Sequence, residues 1–176
     1  MAGPAAIPVK SGRLGSWVLL AYRLPREPSN PRVGVWRKLE RLGVARLGDG
    51  LVALPADART REQLDWLAEE ITEAGGTSPV WLAAPASAAQ ERAIAEAMRA
   101  ARAAEYRAVT NQAREAARGG AVERTRTARR LRAELRRIAR RDFFPPAERE
   151  AARAAVDALA ADAATAGTAA VIEAGP

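Results

Sequence analysis

Apolar positions along this chain change their spacing several times, and each change marks an element. "SWVLLAYRLP" (16–25) is a short unbroken apolar run ending at a proline, and it predicts a buried strand. In "SNPRVGVWRKLERLG", Asn30 is placed to N-cap and Pro31 to open a helix. Val35, Leu39 and Leu42 then recur at helical spacing, and Gly43 suits the stop. "VARLGDGLVALP" (44–55) reads as two short strands around Gly48-Asp49-Gly50, a hairpin signal. Thr60 with Gln63 suggests a capping box for the next helix, whose stripe is Leu64, Leu67 and Ile71 and whose end is Gly75-Gly76. "TSPVWLAA" (77–84) is a last strand, with Pro79 favouring an edge position.

The order β-α-β-β-α-β predicts a ferredoxin-like α+β domain over 16–85, an antiparallel four-stranded sheet with two helices on one face. After Pro85 the pattern becomes wholly helical. Ile94, Met98, Ala101 and Val109 share a helical face with Tyr106 at its border, and Gly119-Gly120 breaks that helix. A second helix follows from about Val122 to Arg141. "DFFPPAERE" then turns the chain into a third. The helices should fold back as hairpins, forming an α-helical C-terminal extension over 86–166. Residues 1–15 read as a disordered N-terminus and 167–176 as a mobile tail. Trp17, Trp36, Trp66 and Trp81 are assigned to the core or its edge.

Composition narrows the chemistry. The chain contains no cysteine and no histidine. That removes disulfides, thiolate nucleophiles and the commonest general base and metal ligand. No P-loop, GxGxxG, paired-carboxylate motif or metal-ligand cluster is present. The expectation is a protein that is not an enzyme and that needs no cofactor or metal. No apolar run reaches the roughly 20 residues of a membrane span, and the N-terminus lacks the core of a signal peptide. A cytoplasmic protein with no membrane partner is expected.

Charge then singles out one segment. The net charge of +7 is uneven: +2 over residues 1–85, +8 over 86–153 and −3 over 154–176. Within "RTRTARRLRAELRRIARR" (124–141) nine residues are arginine and only Glu134 is acidic. Wound at about 100° per residue, Ala128, Leu131, Leu135, Ile138 and Ala139 fall on one arc of about 100°. That stripe should pack on the 86–118 helix. Arg126, Arg129, Arg130, Arg132, Arg136, Arg137, Arg140 and Arg141 fall on the remaining surface.

Three readings of that surface stay open. It can be a solvated face with no function. It can be a grip for DNA phosphates using all eight arginines. Or Arg136 and Arg140, at i and i+4, can close on a small oxyanion. Phe143 and Phe144 can stack on bases, although aromatics beside prolines at a turn more simply plug the helical half onto the sheet half.

These pieces carry a family resemblance. The first strand ending Leu24-Pro25, then Arg32, Trp36-Arg37-Lys38-Leu39, Leu42-Gly43 and the hairpin ending Leu54-Pro55 resemble the N-terminal domain of ChrB. "EEITEAGGTSPVWL" continues the likeness, and "RRIARRDFFPPAEREAAR" resembles the family's helical end. The resemblance covers roughly residues 16 to 160. It implies a cytoplasmic transcriptional regulator of chromate-resistance operons that binds operator DNA and responds to chromate. The fold is also similar to the ferredoxin-like domains of PaaX-type repressors and Cas2 proteins, but Asp49 in a turn is no substitute for the acidic metal ligands of the latter. ChrB regulators continue into a second domain and this chain stops. The resemblance therefore leaves room for a partner chain carrying that domain, and for a homodimer. An interaction module of that kind, or an arginine-based oxyanion sensor, is the alternative to DNA binding. Chromate is an oxidant as well as a dianion, and a site of arginines without cysteine would bind it without being oxidised.

Overall fold

A computed structural model describes residues 15–27 and 30–173, with side chains at 164 and 166–173 excepted. Most of the expected disordered N-terminus (1–14) and the last residues of the expected tail (174–176) lie outside the described residues. The chain divides into two compact units, 1–95 and 96–176.

The first unit contains β1 (Trp17–Ala21), α1 (Asn30–Leu42), β2 (Ala45–Gly48), β3 (Leu51–Pro55), α2 (Ala58–Glu73) and β4 (Val80–Ala83). The strands form one antiparallel sheet in the order β2-β3-β1-β4. This is the ferredoxin-like arrangement expected from the element order, with β4 at an edge. Val18 pairs with Leu54 and Leu20 with Val52, all at most 1% exposed, so these four residues form one buried sheet face. Val35 and Leu39 from α1 and Leu64, Leu67 and Ile71 from α2 complete that core. Trp17 and Ala53, on the opposite face, are also buried. Burial on both faces explains why β1 reads as an unbroken apolar run.

Local chemistry sets the element ends. Gly43 and Gly75 take positive φ where α1 and α2 stop, and Gly50 does so in the β2–β3 turn. Asn30 is itself the first residue of α1. The capping box at α2 lies three residues earlier than the sequence suggests. Asp57 is the N-cap: its Oδ1 accepts from the Thr60 N–H at 2.7 Å, and Thr60 Oγ1 accepts from the Asp57 N–H at 3.0 Å. Thr60 Oγ1 also donates to the Pro55 carbonyl at 2.6 Å, which is how a hydroxyl tolerates complete burial. Lys38 on α1 pairs with Glu70 on α2.

The tryptophans depart from expectation. Only Trp17 is buried, whereas Trp36, Trp66 and Trp81 are 51%, 65% and 60% exposed. Val35 and Leu39 define the inward direction of α1, and Trp36 is rotated about 100° from Val35. Trp81 alternates with Val80 and Leu82 on the edge strand, so it projects from the face opposite α2.

In the second unit, α3 (Ala88–Ala116, entering from the first unit), α4 (Ala121–Ala139) and α5 (Glu148–Glu173) share one core. Tyr106, Val109 and Ala113 of α3 meet Ala128, Leu131 and Ile138 of α4 and Ala152, Val156 and Leu159 of α5. Four expectations are corrected here. Tyr106 is fully buried rather than marginal, because its hydroxyl has a buried partner, and Ala101 is exposed. Ala139, at the last turn of α4, is exposed as well. And α4 runs closest to α5, not α3. The small residues Ala152, Ala155 and Ala160 let α5 approach closely, while the Tyr106 ring holds α3 further off. The helix α5 continues to Glu173, past the point where the sequence suggests a tail. No helix among the described residues is long and apolar enough to cross a membrane.

Candidate nucleic-acid interface

The helix α4 carries seven arginines and two glutamates. Leu131 and Ile138, at 0% and 1% exposure, fix which way it faces. The eight arginines singled out in the sequence then separate into two groups by their angle from that buried stripe.

Those bordering the stripe have partners within the helical unit. Arg132 donates to Asp157 of α5 at 3.2 Å, and Arg130 donates to Gln112 of α3 at 2.9 Å. Arg141 donates to Glu105 of α3 at 2.9 Å, and its side chain is only 20% exposed. Arg137 pairs with Glu134 one turn back at 2.9 Å. Charged side chains at the margin of an apolar stripe reach across to the flanking helices while their stems cover the core.

Arg126, Arg129 and Arg136 lie opposite the stripe, within an arc of about 80°. All three are exposed, and among the described residues none makes an ion pair. Arg126 and Arg136 stand about 15 Å apart along the axis at 1.5 Å per residue. Arg140 shares this arc and is exposed, but it has a partner within the fold. The pair suggested for an oxyanion, Arg136 and Arg140, therefore sits on an open helix face.

Beneath the helix ends lies a polar network that no sequence motif announced. Tyr106 donates to Asp142 Oδ2 at 2.9 Å, and Arg149 approaches the same oxygen at 3.8 Å. The Asp142 side chain is completely buried. Burial, followed by the bond to Asp142, pushes the Tyr106 hydroxyl up to about 12. The folded protein thus holds this proton more tightly than the unfolded chain does. Its contribution to stability is complete below pH 10 and is lost as pH rises from there through about 12. Tyr106→Phe should remove that alkaline limb from a denaturant-midpoint profile. If the two profiles keep the same shape, the hydroxyl is not the group responsible. Phe143 and Phe144 follow Asp142 in the turn and are partly buried.

The comparisons with known proteins bear on this geometry. Residues 32–118 match the family model described as protein ChrB, N-terminal. Through those residues, the chain belongs to the ChrB N-terminal family. No curated protein and no solved structure matches the chain. The ChrB match runs from the first turn of α1 through the end of α3, so it spans three of the four strands and the entry into the helical unit. Strand β1 precedes it, and the arginine helix α4 and its neighbour α5 follow it. The match therefore covers the sheet unit from α1 onward together with α3, and the reading of α4 rests on its own geometry.

Proposed function

We propose that this chain is a DNA-binding regulatory protein of chromate resistance, working by binding and not by catalysis. One observation carries the reading. The arginines bordering the buried stripe of α4 are satisfied within the protein, while Arg126, Arg129 and Arg136 share the outward face with no acidic partner among the described residues. Like charges kept this close repel, and a polyanion would relieve that cost. The ChrB resemblance supplies the setting, with operator DNA as partner and chromate as effector. Phosphate contacts fix position and do not read sequence, so operator preference would need further contacts.

A competition assay tests the proposal. Labelled DNA from upstream of the gene should be displaced by unlabelled upstream DNA at lower concentration than by a scrambled duplex, and chromate should shift the midpoint. Equal displacement by both duplexes, with no chromate effect, would reduce the protein to a general polyanion binder. A second reading, a docking module for another chain, is favoured by the edge strand β4, which leaves Trp81 on one face and Leu82 on the other exposed. It requires concentration-dependent association without DNA.

A further inference from the structure

The sheet unit has a second basic surface, separate from α4. A cleft of about 1020 Å³ opens between the end of β1, the outer face of α1 and the β2–β3 turn, and its lining includes Tyr22, Arg23, Arg26, Arg32, Trp36 and Asp49. We propose that this cleft binds a nucleotide unit, with its phosphates on Arg23, Arg26 and Arg32 and its base stacked on Trp36.

Three observations converge. First, all three arginines are exposed, and among the described residues none makes an ion pair. Elsewhere in the same unit arginines do find carboxylates, as Arg46 does with Glu40 and Arg61 with Asp65. With Asp49 the only acid in the lining, three Arg against one Asp leave a charge of +2. Second, the indole of Trp36 is 51% exposed in the same cleft, beside Val33 at 45%. Arg32 and Trp36 stand one turn apart on α1, so cation and ring are presented side by side. A positive groove with an aromatic platform suits phosphate plus base, because every base offers a π-face. A bare oxyanion would leave the platform unused and fill little of a space at the upper end of the roughly 300–1,000 Å³ typical of ligand sites.

Third, the wall is fixed before any ligand arrives. The Tyr22 N–H donates to the Gly50 carbonyl at 2.6 Å, and Arg23 exchanges backbone bonds with Thr77 at 2.8 and 2.9 Å. Gly50 has φ +72°, and a Cβ there would lie 2.3 Å from the Tyr22 carbonyl oxygen. The chain can approach this closely only because position 50 is glycine. Tyr22 and Arg23 therefore project from backbone anchored on both sides. Asp49 offers an acceptor to a sugar hydroxyl or a base amino group.

The test uses the full chain with Arg126, Arg129 and Arg136 changed to glutamate. The α4 surface then cannot contribute, and the fate of the duplex-binding proposal does not affect the result. Tryptophan fluorescence is followed against a short oligothymidylate, thymidine 5′-triphosphate and inorganic triphosphate. The oligonucleotide or the nucleotide should quench the emission, and Trp36→Leu should abolish the quench and weaken binding about 10-fold. Trp36→Phe should recover most of the affinity. Changing Arg23, Arg26 and Arg32 together to glutamine should remove binding, with an unchanged circular dichroism spectrum. Quenching by the free nucleotide as strong as by the oligonucleotide identifies a soluble nucleotide as ligand, while response to the oligonucleotide alone identifies an unpaired strand. Inorganic triphosphate competing as well as the nucleotide, with Trp36→Leu silent, would overturn the proposal, as would an absence of quenching by every probe.

Discussion

Changing Arg126, Arg129 and Arg136 together to glutamate is expected to leave the protein folded and to lower its affinity for duplex DNA on the order of 100-fold near physiological salt. Each phosphate neutralised by an arginine releases counterions, which contributes about 0.9 to the slope of log affinity against log salt. Loss of three such contacts should flatten that slope by about 3. The bundle should tolerate the change, because all three side chains are exposed and none pairs with an acid among the described residues. The bordering arginines provide the contrast. Arg132→Gln and Arg141→Gln remove ties to Asp157 and Glu105. They should affect thermal stability more than DNA affinity, and Arg141→Gln should cost more than Arg132→Gln because its pair is better buried. If the bordering variants lose DNA and the outward triple variant keeps it, the DNA-facing arginines are those at the margins of the helix and not the outward three.

The second large effect lies under the same helix. Leu131→Ala should destabilise the helical unit by about 2–5 kcal/mol, the range for deleting a buried leucine side chain. Leu131 has no solvent exposure and sits among Tyr106, Val109, Ala128, Val156 and Leu159. Three helices meet at that point, so collapse around the cavity would have to move more than one of them. For a unit of this size each kcal/mol lowers Tm by about 4–8 °C. A calorimetric scan should show the loss, and a shift below about 4 °C would mean that this core is less tightly packed than it looks. Because α4 is held by this contact, DNA binding should fail at the lower melting temperature, not before it.

Much of the sheet unit was legible in the sequence because its signals are local. The hairpin at Gly48-Asp49-Gly50, the Leu64/Leu67/Ile71 stripe and the glycine stops at Gly43 and Gly75 each follow from the conformation a few neighbouring residues prefer. The N-cap of α2 lies three residues before the expected one because Asp57 and Thr60 are both good capping side chains, and only the reciprocal bonds decide which one is the cap. The tryptophans depart from expectation for a different reason. Size and apolarity argue for burial, but the phase of Val35 and Leu39 turns Trp36 outward, and an edge strand leaves Trp81 uncovered.

The arginine helix was legible in outline and not in detail. Periodicity separates the apolar stripe from the charged face. It does not reveal that Asp157, Gln112 and Glu105, from distant parts of the chain, engage the arginines at the margins. Only the fold separates the outward Arg126, Arg129, Arg136 and Arg140 from the four at the margins, and of these four outward residues Arg140 has a partner within the fold. The cleft at Arg23, Arg26, Arg32 and Trp36 stayed hidden because its residues belong to a strand end, a connection and a helix that meet only after folding. Its one sequence signal was the arginine-rich stretch "YRLPREPSNPR", with a single acid, next to a tryptophan four residues after Arg32.

Under the proposed function, the outward arginines of α4 meet DNA phosphates. The most direct test is the affinity of the unmodified chain for its upstream DNA, measured by anisotropy across a series of salt concentrations. Three or more phosphate contacts predict a line of log affinity against log salt with a slope of about −2.7 or steeper. A flat line, or no binding near physiological salt, would contradict the account and leave those arginines as a solvated helix face.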